Sequence, residues 1–119
     1  MYTYSFEKLH VWQETRKLTK SVYIVTREFP ADEKFGLVTQ MRRAAISISS
    51  NIAEGSSRKT IHDQAHFYTM AFSSLVELLN QLILSYDLEF IDDNKYVEIR
   101  AEIELISNQL NNLRKSTTK

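Results

Sequence analysis

Two histidines, His62 and His66, have the spacing of a helical metal-ligand pair. Residues four apart lie on one face of a helix, so both imidazole rings can reach the same ion. Asp63 follows the first histidine, where the metalloprotease motif HExxH has the glutamate that acts as a general base. Aspartate is one methylene shorter than that base, and the sequence offers no evident third ligand. We therefore favour a surface histidine pair and expect no metal site.

A carboxylate and histidine pair, Glu7 and His10, matches one half of the di-iron motif of helical bundles. That site needs the motif twice, and a second copy is missing. Four carboxylates fall outside the apolar seams, so we expect no pocket that tunes them for catalysis; they are Asp63, Glu77, Glu98 and Glu102. The chain has no cysteine, only two glycines and no serine in a nucleophile elbow. We expect it to be no enzyme and to bind no cofactor.

Basic residues suggest binding chemistry of another kind. Arg58 and Lys59 precede a predicted helix, whose free N–H groups and positive dipole end attract anions such as phosphate. No aromatic residues alternate with them, so we expect contact with the nucleic-acid backbone rather than with bases. A second cluster, Arg16, Lys17 and Lys20, lies on the first predicted helix, although a charge run on a helix is commonly a solvated face.

Two adjacent arginines, Arg42 and Arg43, lie within an apolar stretch. Consecutive helical residues differ by about 100° in direction, so at most one arginine can lie beside the packed face. Arg43 and Glu54 are eleven residues apart, which places them on the same face three turns apart. We favour a structural role over phosphate binding, with one arginine bonding acidic groups of a neighbouring helix or subunit. The sequence leaves both roles open.

The stretch from Gln40 to Gly55 predicts the helix around which the others pack. Its apolar residues recur at steps of three and four along one face, at Val38, Met41, Ala45, Ile48 and Ile52. Asn51 places an amide near a contact of small residues, and Gly36 indicates close packing in the first turn. Gly55 is predicted to be the left-handed residue that ends the helix. The predicted structural and assembly residues are Gly36, Arg42, Arg43, Asn51, Glu54 and Gly55.

Four helices are predicted, at residues 9–28, 33–54, 61–88 and 92–115, in a single domain of residues 1–119. The last fades in a polar tail, residues 116–119. Pro30 separates the first two helices, and the following N-caps are predicted at Asp32, Thr60 and Asp92. The third helix carries a seam at Ala65, Tyr68, Phe72, Leu75, Leu79, Leu82 and Tyr86, and the fourth one at Tyr96, Ile99, Ile103, Ile106, Leu110 and Leu113. These patterns predict an all-α fold, an antiparallel up-down four-helix bundle with a left-handed supercoil.

The first helix carries two apolar lines. One contains Leu9, Trp12, Thr19, Val22 and Thr26, and the other contains Val11, Leu18 and Val25. A second line suggests contact with another subunit. The sequence equally allows both lines to be buried within one bundle.

Composition describes an ordinary globular chain, with 43% apolar residues, 25% charged residues and no net charge. Residues 1–60 hold ten basic against six acidic side chains, and residues 61–119 hold five against nine. A neutral monomer is a poor general binder of nucleic acid, because phosphate binding needs concentrated positive charge. The N-terminus has no signal-peptide layout, and no apolar run approaches the roughly 20 residues of a membrane span. We expect a cytoplasmic protein that is not inserted in a membrane.

Several motifs together resemble a known family. They are Phe6-x-x-Leu9-x-Val11-Trp12, Phe29-Pro30, Glu33-x-Phe35-Gly36-Leu37 and, between Phe35 and Gly55, the order FGL, Q, RRAA, S and SNIAEG. The chain resembles, over nearly its whole length, the four-helix-bundle proteins encoded in intervening sequences of bacterial 23S rRNA genes. It departs at Ser49, where members usually have proline, and at Ser73, where glycine is commoner.

The resemblance implies an up-down bundle, a ring-shaped homopentamer and an inferred role with RNA or DNA. A related protein, the accessory variability determinant of diversity-generating retroelements, is similar and pairs such a pentamer with a reverse transcriptase and RNA. We expect a non-enzymatic oligomeric bundle that associates with nucleic acid through backbone charge contacts. The alternative is a protein-interaction scaffold, such as an accessory subunit of a reverse transcriptase.

Overall fold

The computed structural model describes residues 1–118, and Lys119, the last residue of the predicted tail, lies outside the described residues. Four α-helices follow one another: α1 at His10–Thr26, α2 at Leu37–Ser57, α3 at Ile61–Asp87 and α4 at Asp93–Lys115. Short 3-10 turns precede α1 at Ser5–Lys8 and α2 at Ala31–Glu33. No strand is present in the described chain.

Each helix packs against the next along the chain, and α1 also contacts α4, which closes a four-helix bundle. Short connections between helices that pack together make the neighbours antiparallel. The contact between α2 and α3 is by far the most extensive of the four. The predicted all-α four-helix fold is confirmed, and the predicted helices match the observed ones to within a few residues at each end, α2 excepted.

The seams predicted on α2 and α4 form the centre of the core. Every residue of the α2 seam is buried, as are the four middle residues of the α4 seam, and the fully enclosed side chains include Met41, Ile48, Ile52, Ile106 and Leu110. Burying a side chain of this size contributes about 1.5–3 kcal/mol relative to leaving it in water. The 3-4 spacing was therefore sufficient to locate this part of the core.

The buried face of α3 is shifted from the predicted seam. Tyr68, Leu75 and Leu82 are buried as predicted, but Tyr86 is more than a third exposed, while Ala71 and Leu78 are fully buried. The reason is that α3 packs far more heavily on α2 than on α4, so its buried face turns towards α2. A seven-residue pattern cannot show which of two neighbours dominates.

The helix α3 is also the one helix in residues 1–118 that is long and apolar enough, by length and composition alone, to cross a membrane. This differs from the expectation that no segment would approach such a span. In the bundle, one face of α3 supplies core side chains such as Leu75 and Leu78. An apolar composition of this kind is typical of a helix that packs against two neighbours.

The N-terminus of α2 differs from the prediction. Asp32 does not cap it, because Ala31–Glu33 forms a separate 3-10 turn and α2 begins only at Leu37. Instead, the side-chain Oε1 of Glu33 accepts the backbone N–H of Leu37 at 3.2 Å. The caps of the last two helices are as predicted: Thr60 Oγ1 accepts the N–H of Asp63 at 3.1 Å, and Asp92 accepts that of Lys95 at 2.8 Å.

Gly55 does not end α2 in a left-handed conformation. The helix continues to Ser57, and no glycine of the described chain has a positive φ. A Cβ at Gly55 would lie 2.6 Å from Cε1 of Tyr68 and 3.0 Å from Cβ of Phe67. Glycine is therefore present because α3 approaches α2 closely here.

Gly36 was expected to make close packing in the first turn of α2, and this expectation is wrong. It lies just before the helix, and a Cβ there would meet only Glu33, with Oε1 at 2.8 Å. That atom ends a flexible side chain, but it also accepts the N–H of Leu37, so moving it costs this hydrogen bond.

Both apolar lines of α1 point into the same bundle. Val11, Leu18 and Val25, the second line, are each at most 8% exposed within this single chain. The other line contributes buried Val22 and Thr26. The cause is the position of α1, which contacts both α2 and α4. The second line is thus core and gives no support to an oligomer.

Candidate nucleic-acid and assembly sites

The connection between α2 and α3 carries Arg58 and Lys59. The guanidinium of Arg58 lies 3.5 Å from Oε2 of Glu54 and 4.5 Å from the ring centroid of Phe67. The backbone carbonyl of Arg58 accepts an N–H from the Gln64 side chain at 3.0 Å, which ties the connection to α3. Lys59 is exposed and makes no ion pair within residues 1–118. An exposed pair such as Arg58 with Glu54 is weak, so a phosphate can compete for this arginine.

A second basic pair, which the sequence reasoning missed, lies at the same end of the bundle. Arg114 and Lys115, in the last turn of α4, line a hollow of about 350 Å³ together with Ala65 and Thr69 of α3. Arg114 is held 4.6 Å from the ring centroid of Phe72 and donates to Oδ1 of Asn111 at 3.3 Å. The predicted antiparallel arrangement could have identified this pair, because it places the end of α4 beside the start of α3.

The opposite end of the bundle is acidic. Its connections and the adjoining helix ends contain Glu28, Asp32, Glu33, Asp87, Glu89, Asp92 and Asp93, against Arg27, Lys34 and Lys95. The two ends of the bundle therefore differ in charge, although each end combines residues from both halves of the chain. Anions approaching this protein are attracted to the end with Arg58, Lys59, Arg114 and Lys115.

The cluster predicted on α1 does not join this basic end. Arg16 lies over Trp12, at 5.6 Å from the ring centroid, and Lys17 pairs with Glu14 at 3.4 Å. Lys20 is exposed. All three cations are exposed on α1, which is typical of a solvated face.

The two adjacent arginines have different environments. Arg42 reaches the end of α1, where its Nε donates to Oγ1 of Thr26 at 3.0 Å and its Nη2 to the carbonyl of Tyr23 at 3.4 Å. Its guanidinium also lies 4.4 Å from the Tyr23 ring centroid. Arg42 thus joins two helices, but through a hydroxyl, a carbonyl and a ring, not the acidic partner that we expected. Arg43 is exposed.

The other predicted structural residues lie along the contact between α2 and α3. The amide of Asn51 donates to the carbonyl of Ser47 at 2.9 Å, and the Ser47 and Ser74 hydroxyls lie 2.9 Å apart across the two helices. Glu54 pairs with Arg58, one turn away, and not with Arg43. The shared face inferred from their spacing does not bring Arg43 and Glu54 together, because three helical turns separate them.

The candidate metal ligands are surface residues. His62, Asp63 and His66 are all exposed, and the ring of His66 lies against that of Phe67 with centroids 5.5 Å apart. Within residues 1–118, no three His, Asp or Glu side chains are close enough to hold a metal ion together. Glu7 accepts the backbone N–H of Tyr4 at 2.7 Å, which occupies it in the turn before α1.

Two of the four carboxylates, Glu98 and Glu102, line a small hollow, against our expectation. Glu102 of α4 is partly buried beside α1, and the hollow has a volume of about 80 Å³. Burial raises the pKa of Glu102 and the nearby Glu98 and Glu14 raise it further, while a hydrogen bond from Ser21 Oγ at 3.1 Å opposes the rise. The sequence did not predict the partial burial of Glu102, because this residue lies beside the apolar seam of α4. Only the approach of α1 covers it.

Comparison with known proteins agrees with this geometry. Residues 7–112 match the family model described as 23S rRNA-intervening sequence protein, as the sequence resemblance implied. The fold is similar to the crystal structure of a protein with unknown function from the S23 ribosomal protein family of Bacteroides thetaiotaomicron. The TM-score is 0.80 at 21% sequence identity, over 88% of this chain and 95% of that chain. No curated protein matches. Since the matched region spans all four helices, the chain belongs to the 23S rRNA-intervening sequence protein family.

Proposed function

We propose that this protein is a non-enzymatic, oligomeric helical bundle of the cytoplasm that associates with RNA through the backbone phosphates. The observation that carries the proposal is the segregation of charge along the bundle, with Arg58, Lys59, Arg114 and Lys115 at one end. Membership of a family named for sequences that intervene in 23S rRNA supports RNA as the nucleic acid.

Oligomerisation supplies the charge that a neutral chain lacks. The resemblance implies a ring of five copies, and a ring with parallel bundles would collect every basic end on one rim. Each phosphate that such a rim neutralises adds roughly 0.9 to the slope of log affinity against log salt on duplex DNA, and somewhat less on single strands. A chain without net charge thereby becomes a binder with a strong dependence on salt.

The test is a salt titration of binding to a structured RNA and to duplex DNA. Replacing Arg58 and Lys59 together with alanine should weaken binding and flatten the salt slope, because both charges face the proposed rim. A matched pair of single variants sharpens the result: Lys59→Ala should weaken binding, whereas Arg27→Ala, which removes an exposed charge at the acidic end, should not.

The oligomer mass and the melting temperature of the double variant should equal those of the parent, since the connection buries little. If that variant binds as tightly as the parent at every salt concentration, the rim does not bind nucleic acid. The protein-scaffold alternative, such as an accessory subunit of a reverse transcriptase, then takes precedence.

A further inference from the structure

Beside the gap between α1 and α2 lies an exposed aromatic surface with a basic rim. Phe35 is 88% exposed, and the hollow of about 270 Å³ next to it is lined by residues of three segments. We call this the Phe35 face; its main members are Tyr23, Lys34, Phe35, Arg42, Arg43 and Ile46. None of its three cations makes an ion pair within residues 1–118. A large apolar side chain left in water among unpaired cations is typical of an unoccupied contact surface.

The adjoining side of the bundle, between α1 and α4, has the complementary character. Its exposed apolar side chain is Ile24, at 46%, and its polar members are Ser21, Lys95, Glu98 and Glu102. We call this the Ile24 face. Glu98 is paired with Lys95 at 3.1 Å, an exposed pair that a competing cation can replace. The one side-chain hydrogen bond of Glu102 comes from Ser21.

The two faces lie at the same height of the bundle. Tyr23 belongs to the first and Ile24 to the second, and as consecutive residues of α1 they differ by about 100° in direction. A second copy that is rotated about an axis parallel to the bundle, without a shift along it, can therefore bring one face onto the other. Contacts between two different faces close into a ring when rotation alone relates the copies, and form a filament when it does not.

We propose that the Phe35 face of one copy binds the Ile24 face of the next copy. In this contact Phe35 packs against Ile24, while Lys34 and Arg43 approach Glu98 and Glu102. The partner is a second copy of this chain because the chain itself carries both the basic aromatic face and its acidic complement at one level. The inference rests on the proposed function in its requirement for an oligomer, and it names the surfaces that form it.

A charge exchange tests the pairing. Arg43→Glu and Glu98→Lys, each alone, should reduce the oligomer towards the 13.9 kDa monomer in light scattering at micromolar concentration. The chain that carries both substitutions should recover the parent mass, since the charges are then exchanged across the contact. Glu77→Lys, an exposed charge reversal on α3 outside both faces, is the matched control and should leave the mass unchanged. Circular dichroism should show the same helical content in every variant.

Cross-linking tests whether two different faces meet. The natural chain has no cysteine, so single cysteines can be placed without background. Thr39→Cys on the Phe35 face and Ile24→Cys on the other should each fail to cross-link alone through a short bis-maleimide linker. Mixed together, they should give a covalent dimer. A chain that carries both should give a ladder whose last band counts the copies in the ring.

The outcomes separate this inference from the proposed function. A monomeric parent overturns both the oligomer and the contact. An oligomeric parent whose mass is unaffected by Arg43→Glu and Glu98→Lys overturns the contact alone, as does efficient cross-linking of Thr39→Cys to itself. Weaker RNA binding by Arg43→Glu at unchanged mass would assign the Phe35 face to nucleic acid and would also overturn it.

Discussion

The contact between α2 and α3 differs from the outer sides of α1 in whether its apolar side chains are buried or exposed to solvent. Between α2 and α3, Gly55 and small polar residues let the backbones approach, and Ile48 and Leu78 are completely enclosed. Along the sides of α1, Phe35 and Ile24 remain in water. The core of the first region is complete within one chain, because its apolar side chains, such as Ile48 and Leu78, are enclosed by the same bundle. The second has apolar side chains and charges without partners, which is the expected state of a surface used between molecules.

Shortening an enclosed side chain should separate the two regions most clearly. Ile48→Ala removes a side chain that is 0% exposed and leaves a cavity, so we expect it to lower the free energy of unfolding by about 2–5 kcal/mol. Val97→Ala, at an α4 residue that is 64% exposed, should change it by less than about 0.5 kcal/mol. Urea unfolding at one protein concentration measures both values. Equal losses would show that α2 and α3 are not the rigid part of the bundle.

Exchanging the two glycines for alanine should sharpen the comparison further. Gly55→Ala places a methyl group 2.6 Å from Tyr68, and overpacking of this kind costs about 1–3 kcal/mol. Because alanine favours a helix interior over glycine by about 1 kcal/mol, the net loss should be about 0–2 kcal/mol. A larger residue at this site, as in Gly55→Val, should cost more.

Gly36→Ala is the matched control for this pair. Its new methyl group would meet Oε1 of Glu33, which can move at the cost of its hydrogen bond to Leu37, so we expect a loss of less than about 1.5 kcal/mol in the same urea experiment. A loss for Gly55→Val no greater than that for Gly55→Ala would contradict the assignment of Gly55 to the close approach of α3.

The sequence predicted features that depend on local patterns better than features that depend on contacts between helices. The seams of α2 and α4 were predictable, because an enclosed helix face must repeat at three and four residues, and the caps of Thr60 and Asp92 follow from the same local rules. The role of Gly55 was not predictable from the sequence, because a glycine near a helix end is compatible both with a left-handed cap and with a close contact between helices. Only the position of Tyr68 on another helix distinguishes the two.

The candidate sites were less predictable than the core, because some of their residues are far apart in the sequence and meet only through the packing of the helices. Arg58 and Lys59 were found because they are adjacent to each other and to a helix start. Arg114 was missed because it meets that end only through the packing of α4 beside α3. Arg42 was assigned a structural role, but a sequence cannot show that the partners are the carbonyl and ring of Tyr23.

The link between α1 and α2 offers a third test of the comparison. Arg42→Ala removes two hydrogen bonds and a ring contact to α1, so we expect a loss of about 1–2 kcal/mol in the free energy of unfolding. Arg42→Lys should recover little of it, because an ammonium cannot reproduce the planar, forked guanidinium. Arg43→Ala, at the exposed neighbour, should weaken the oligomer but leave the stability unchanged when unfolding is measured at a concentration low enough to keep the chain monomeric. Similar losses for both arginines would refute their division into a structural and a surface residue.

The smallest effect is expected at Glu102, the partly buried carboxylate on the open side of α1. Its folded pKa is raised above the ordinary value of a glutamate, chiefly by burial, so the folded state holds this proton at a pH where the unfolded state has lost it. The stability that it contributes is therefore full at low pH and declines as the pH rises from the unfolded pKa through the folded one. Glu102→Gln keeps the size of the side chain and has no carboxyl to ionise, so this variant should lose that decline and be more stable than the parent at neutral pH. Urea unfolding across the acidic range measures the difference, with Glu104→Gln, at an exposed carboxylate of the same helix, as the control. A parent and a Glu102→Gln variant with parallel pH profiles would show that Glu102 is solvated like any surface acid.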